Sequence, residues 1–265
     1  MTDESSAPLS LPARPELTGG RRIGVMVSHG FTGSPHSVRP WALSLAERGY
    51  AVELPLLPGH GSTWQEMNTT TWEDWYGAVR AAHDKLAEEN DDVLVAGLSM
   101  GGTLALRLAA DLGDAVAGVI VVNAAVATRR KDVLVLPFAK HVLGSLPAIG
   151  NDLKKNGVDE RAYDRTPLRA AHSMMQAWKV LRDDLPRVTA PVLFFKSAVD
   201  HVVDDSSLPI VRAGVSSREF IELVLPDSYH VATLDNDAQT IFDESAAFVA
   251  RVTDPANGRT GPRSA

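Results

Sequence analysis

A chain of 265 residues, 45% hydrophobic and 22% charged, is long enough to bury a substantial core within a single α/β-sized domain. Its 33 acidic against 26 basic residues leave a net charge of -7, which argues against a nucleic acid or an anionic membrane as partner and favours a neutral or cationic small molecule. The lack of cysteine excludes disulfides, thiolate metal sites and a cysteine nucleophile together.

The N-terminal MTDESSAPLS is acidic and polar, without the basic and apolar regions of a secretory signal. Residues 1–20 are expected to be a flexible tail, as are the Pro-, Gly- and Arg-containing residues 253–265, which leaves a domain over 21–252. Short, predominantly apolar runs at 23–27, 51–54, 93–96, 116–122, 192–195 and 220–225, interrupted by a charge only at Glu53 and Glu222, predict strands covered on both faces. The segments between them predict helices. Val38, Trp41 and Leu45 mark one over 37–48 that stops at Gly49; Thr71 caps a second over 71–89; a third, over 103–112, ends at Gly113. Strands separated by helices imply right-handed crossovers and a mostly parallel sheet. No stretch reaches the roughly 20 apolar residues that cross a bilayer, so integral membrane association is not expected and a cytoplasmic location is.

About sixty residues separate Asn123 from the strand at Val192, far more than one crossover needs. This insertion, about 125–187, carries Leu134, Phe138, Val142, Leu146 and Ile149 and then a helix over 168–185, and is expected to form a small cap.

Gly97-Leu98-Ser99-Met100-Gly101 is a G-x-S-x-G pattern lying between an apolar strand and an Ala/Leu-rich helix, the context in which it has a mechanical reason. A turn that sharp strains the serine backbone and leaves no room for side chains two residues away, while lifting the hydroxyl to a helix N-terminus. A serine nucleophile needs an imidazole held by a carboxylate, and in an open parallel sheet such groups gather beyond the strand carboxyl ends. His230 follows the run 220–225 by five residues and Asp200 follows the run 192–195 by five, giving the chain order Ser, Asp, His. Asp200 is preferred to Asp204, Asp205 and Asp227. His201 is read as a solvated loop residue, His83, His141 and His172 as structural or surface histidines, and His36 and His60 stay unassigned. An oxyanion site needs two aimed backbone amides: Met100, after the serine, supplies one, and Phe31, in the Ser28-His29-Gly30-Phe31-Thr32-Gly33 loop after the first apolar strand, is the candidate for the second.

Taken together, HGFTGSPHSVRPWA, LPLLPGHG, GLSMGGTLALRLA, VVNAAVA, DHVV and SYHVATLD resemble the bacterial monoacylglycerol lipases and the related Bacillus-type thermostable carboxylesterases, collinearly over roughly residues 22–250. The resemblance implies an α/β-hydrolase fold, a mostly parallel central sheet flanked by helices with a small cap, acting on monoacylglycerols or short and medium acyl esters with no metal or organic cofactor. It implies Ser99, Asp200 and His230 as triad, Phe31 and Met100 as oxyanion donors, and Ile149 and Glu160 as residues shaping the alcohol pocket. A small-molecule ester is the expected partner and a homodimer is left open. A carboxylesterase without glycerol preference and a ligand-binding protein on a hydrolase fold are the alternatives.

Overall fold

The computed structural model describes residues 4–257. Residues 1–3 and 258–265, the outer parts of the two expected tails, lie outside the described residues. The strands in chain order are β1 (Leu9–Leu11), β2 (Ile23–Ser28), β3 (Ala51–Leu54), β4 (Asp92–Leu98), β5 (Val119–Val122), β6 (Ser145–Pro147), β7 (Arg165–Pro167), β8 (Val192–Ser197) and β9 (Phe220–Leu225). Seven form one sheet in the order β1-β3-β2-β4-β5-β8-β9, parallel throughout except for the β1–β3 pair. The helices are α1 (Arg39–Glu47), α2 (Trp64–Met67), α3 (Trp72–Glu89), α4 (Met100–Leu112), α5 (Leu136–Ala139), α6 (Leu168–Asp184), α7 (Ser207–Gly214) and α8 (Ala238–Val252).

Unbroken apolar strands arise because successive side chains point to opposite faces and both faces are covered. Val93 and Val95 of β4, with Val192 and Phe194 of β8, pack against Val79 of α3, Leu104 of α4 and Leu181 of α6. Leu94, Ala96 and Leu98, with Leu193 and Phe195, pack on the opposite face against Trp41 and Leu45 of α1 and Ile241 and Phe248 of α8. The buried Trp41 Nε1–H donates to Ser245 Oγ at 3.1 Å, which joins the two helices of that layer without an orphaned donor.

Three expectations need correction. Residues 4–20 are not a loose tail in the described part. Leu9–Leu11 pairs antiparallel with β3, Arg14 donates to the Ala46 and Glu47 carbonyls, and Arg39 Nε donates to the Ser5 carbonyl at 2.7 Å. That order comes from a sheet edge and two arginines rather than from local composition. β9 is an edge strand, half-buried to exposed over most of its length, not a strand covered on both faces. The insertion divides: α5 and the antiparallel β6–β7 pair form the cap, whereas α6 sends Ala170 and Leu181 into the core beside α4. Tyr163 fastens the cap to the body: its N–H donates to Thr32 O at 3.1 Å, and its hydroxyl donates to Gly59 O and accepts from Ser62 N–H.

Candidate active site

The ladder registers bring the strand ends level. Ser28 pairs with Gly97, Leu98 with Val122, Val122 with Phe195 and Ser197 with Leu225, so the loops after β2, β4, β5, β8 and β9 open on one edge. After β2 the chain moves outward to β3 and then returns to the other side of β2 as β4, which makes the β2–β4 boundary the reversal point where open α/β sheets form their crevices. The Gly30 loop and Ser99 stand at that boundary.

Ser99 caps α4 with φ 55° and ψ -119°, a left-handed conformation that costs a non-glycine residue roughly 1–3 kcal/mol. The turn is over-determined by its neighbours. Ser99 N–H donates to Val122 O at 2.8 Å, a Cβ on Gly97 would lie 2.6 Å from Gly102 N, and one on Gly101 would lie 2.7 Å from His29 O. Gly97 is therefore required by the return of α4 across the end of β4, and Gly101 by the approach of α4 to the loop after β2.

His230 Nδ1 lies 3.1 Å from Asp200 Oδ2. With the carboxylate accepting from Nδ1–H, the basic nitrogen of a neutral ring is Nε2. Both groups are almost entirely buried. Burial works against a charged imidazole, but Asp200, followed by Glu160 and Asp152, holds the His230 pKa above its ordinary value. Burial likewise opposes the Asp200 carboxylate, yet His230, Lys196 and the Val203 amide outweigh it and hold its pKa well below the usual range. Ser99 and His230 line the same cavity.

Phe31 follows Gly30, where an added Cβ would lie 3.4 Å from Ser99 Cβ, and Met100 follows Ser99 at the start of α4; among the described residues neither the Phe31 nor the Met100 amide donates a hydrogen bond within the protein. Beneath the Phe31 loop, His29 Nε2 accepts from Leu57 N–H at 3.2 Å and Nδ1 donates to Gly30 O at 3.0 Å, which requires the neutral ring. Burial, then the neighbouring His60, lower the His29 pKa to about 3. His60, unassigned from sequence, packs edge-on against His29 and Trp75, and burial lowers its pKa to about 4. Trp75 in turn meets the Phe31 ring. These packed rings form an uncharged aromatic floor under the loop.

The cavity, about 270 Å³, is walled largely by apolar side chains, among them Leu136, Leu168, Met174, Met175 and Trp178. Ile149 and Glu160 both line it, with Ile149 half exposed at its border. Glu160 Oε1 accepts from Asn151 N–H, and burial pushes the carboxyl pKa up against that bond and the nearby His230.

The remaining candidates lie elsewhere. Asp204 accepts from the Arg129 and Ser206 amides, Asp205 is exposed, and Asp227 pairs with Lys154. His36 ties Ser5 to Asp159 O, and His201 Nδ1 meets Asp152 Oδ1 at 2.7 Å. Among the described residues no three His, Cys, Asp or Glu side chains gather as a metal site would require, and no helix is long and apolar enough to cross a membrane.

Three buried contributors escape sequence reasoning. Asp152, from the cap connection, accepts His230 N–H at 3.1 Å. Asn123, at φ 49° just past β5, donates to His230 O and Ser197 Oγ and accepts Ser197 N–H, so it welds two loop origins together. Lys196 donates to Asp200 Oδ2 at 3.1 Å. A lysine closing the apolar run of β8 is a readable signal; the partnership of Asp152 across 78 positions is not.

A doubly covered parallel sheet, a serine strained at the β4–α4 turn and a buried Asp–His pair on the loops after β8 and β9 define a serine hydrolase of the α/β-hydrolase fold. Residues 20–237 match the family model described as serine aminopeptidase, S33, and the chain belongs to that family. It is similar to the thermostable monoacylglycerol lipase of Bacillus sp. strain H-257, 38% identical over 248 residues that cover 92% of this chain and 97% of the relative. It is also similar to a carboxylesterase of Bacillus subtilis strain 168, 23% identical with 90% and 97% covered. A solved structure from work on the metagenome-derived lipolytic enzymes LipS and LipT superimposes with a TM-score of 0.88 at 39% identity, covering 95% of this chain and all of that one.

Proposed function

We propose that the protein hydrolyses carboxylic esters with a single acyl chain, monoacylglycerols foremost, through an acyl-enzyme on Ser99. The observation that carries this reading is that Ser99 and His230 open into one apolar cavity whose volume stands near the lower end for small-ligand pockets, which suits one chain and not three. Exposed Val135, Leu146 and Ile149 border it, an apolar rim fit for a lipid-like substrate. The lipase and carboxylesterase relatives support the same substrate class.

In this mechanism Ser99 Oγ attacks the ester carbonyl carbon while His230 Nε2 takes its proton. The carbonyl oxygen becomes an oxyanion held by the Phe31 and Met100 amides at the α4 N-terminus, each donor contributing about 2.7–4 kcal/mol. Collapse breaks the ester C–O bond, and His230 gives its proton to the departing alcohol. Water, deprotonated by the same nitrogen, then releases the acid and restores Ser99. Asp200 fixes the tautomer and stabilises the imidazolium. Glu160 and Ile149, both lining the cavity, shape the alcohol side of the site in this reading, with Glu160 accepting from the glycerol hydroxyls.

A carboxylesterase indifferent to glycerol is the second reading, favoured by the engagement of Glu160 Oε1 with the Asn151 amide. A panel of monoacylglycerols, methyl esters and p-nitrophenyl esters of matched chain length separates the two. A higher kcat/KM for monoacylglycerols than for methyl esters supports the first; equal values overturn it.

A further inference from the structure

Lys196 stands at the end of β8 with its ammonium inside the protein, the side chain only 10% exposed. Burying a lysine is costly unless its charge is compensated. Here Nζ donates to Asp200 Oδ2 and to Val203 O, both at 3.1 Å. Asp200 Oδ2 is the oxygen that also faces His230 Nδ1 at 3.1 Å, whereas Oδ1 is occupied by the Val202 and Val203 amides. The ammonium and the imidazole therefore share one carboxylate oxygen and stand no more than about 6 Å apart.

We propose that Lys196 is a positioning residue that sets the basicity of His230 by sharing Asp200 Oδ2 with it. The inference rests on the Ser99–His230–Asp200 reading above. His230 is faced by three carboxylates: Asp200 from the loop after β8, and Glu160 and Asp152 from the cap connection. His201 bonds the outer oxygen of Asp152, and Asp205, largely exposed, lies 4.0 Å from Lys196. Three anions without a cation would hold the imidazole protonated well into the pH range where it must act as a base. Lys196 offsets one of them at the oxygen nearest the ring, while its second bond to Val203 O pins the loop that presents Asp200.

The test is the pH profile of kcat/KM for a p-nitrophenyl ester in the intact Lys196→Met and Lys196→Gln variants, with Lys196→Arg as the charge-retaining control. Removing a positive charge about 6 Å from the ring moves the acidic limb upward by about one pH unit in both neutral variants. The arginine variant keeps the wild-type limb. Direct titration of the His230 imidazole by NMR shows the same displacement. A limb that stays in place in a folded neutral variant, whether or not kcat falls uniformly, overturns the proposal; should Met unfold the chain, the polar Gln variant decides. An active Ser99→Ala variant would instead overturn the triad reading, so the two failures are distinguishable.

Discussion

Asp200→Asn is the substitution for which the structure dictates the outcome most fully. Oδ1 accepts two backbone N–H groups, Val202 at 3.0 Å and Val203 at 2.8 Å, so the asparagine carbonyl must take that side. Its NH2 then replaces Oδ2 and confronts His230 Nδ1 and the Lys196 ammonium, each 3.1 Å from that position. A donor at that point forces the His230 proton onto Nε2, the nitrogen that must accept the Ser99 proton. The equivalent tautomer error in a serine protease lowers kcat about 10⁴-fold, or about 5.4 kcal/mol, and a similar loss is expected here. Lys196 also loses its anion. Breaking a buried ion pair costs about 3–5 kcal/mol, which in a domain of this size lowers Tm by about 6–20 °C. Steady-state hydrolysis of a p-nitrophenyl ester across neutral and alkaline pH, beside a thermal melt, measures both. Activity within about tenfold of wild type would refute the assigned tautomer and with it the role of Asp200.

The pH behaviour follows from the two opposed shifts. His230 must be neutral to act as base and its pKa is raised above 6.5, so kcat/KM falls with acidification along a limb centred above 6.5. In stability the signs divide: the His230 contribution is complete below its unfolded pKa and is lost as pH rises through the folded one, whereas that of Asp200 is present above 3.8 and is lost as pH falls through its depressed folded pKa. Urea titrations at a series of pH values read both. Asp152→Ala removes an anion that raises the His230 pKa and frees the His230 amide, so the acidic limb moves to lower pH and kcat drops by as much as about 10²-fold; an unmoved limb contradicts the electrostatic part. Glu160→Ala lowers kcat/KM for monoacylglycerols by about 10-fold while leaving methyl esters nearly unaffected, as loss of a charged acceptor for hydroxyls requires. Gly97→Ala places a Cβ 2.6 Å from Gly102 N and destabilises the fold by about 3 kcal/mol or prevents folding, read as a fall in Tm of about 10 °C.

The parts legible in the sequence are those with local physical causes. Continuous apolar runs mark β2, β4, β5 and β8 because both faces are covered, and Thr71 marks the start of α3 because its N–H and hydroxyl both meet Asp74 Oδ2. Ser99 is legible because Gly97 and Gly101 are sterically obligatory, and His230 and Asp200 because strand ends collect chemistry. What the sequence hides is set by distant partners. β1 is three residues of a sheet edge whose order depends on β3 and on Arg14 and Arg39. β9, FIELVL, reads as a covered strand despite Glu222 yet lies at the edge, with no further strand after it among the described residues. Asp152 reads as one more cap acid until the fold carries it under the His230 amide.

Ester hydrolysis by this route requires Ser99 to be the acylated group. Labelling the purified enzyme with a fluorophosphonate and locating the adduct by peptide mass spectrometry, in parallel with turnover by Ser99→Ala, tests this directly. The expected result is one adduct per chain, on Ser99, and a kcat in the variant lower by about 10⁶-fold. An adduct on another residue, or a Ser99→Ala enzyme that still hydrolyses esters at near wild-type rate, would contradict it.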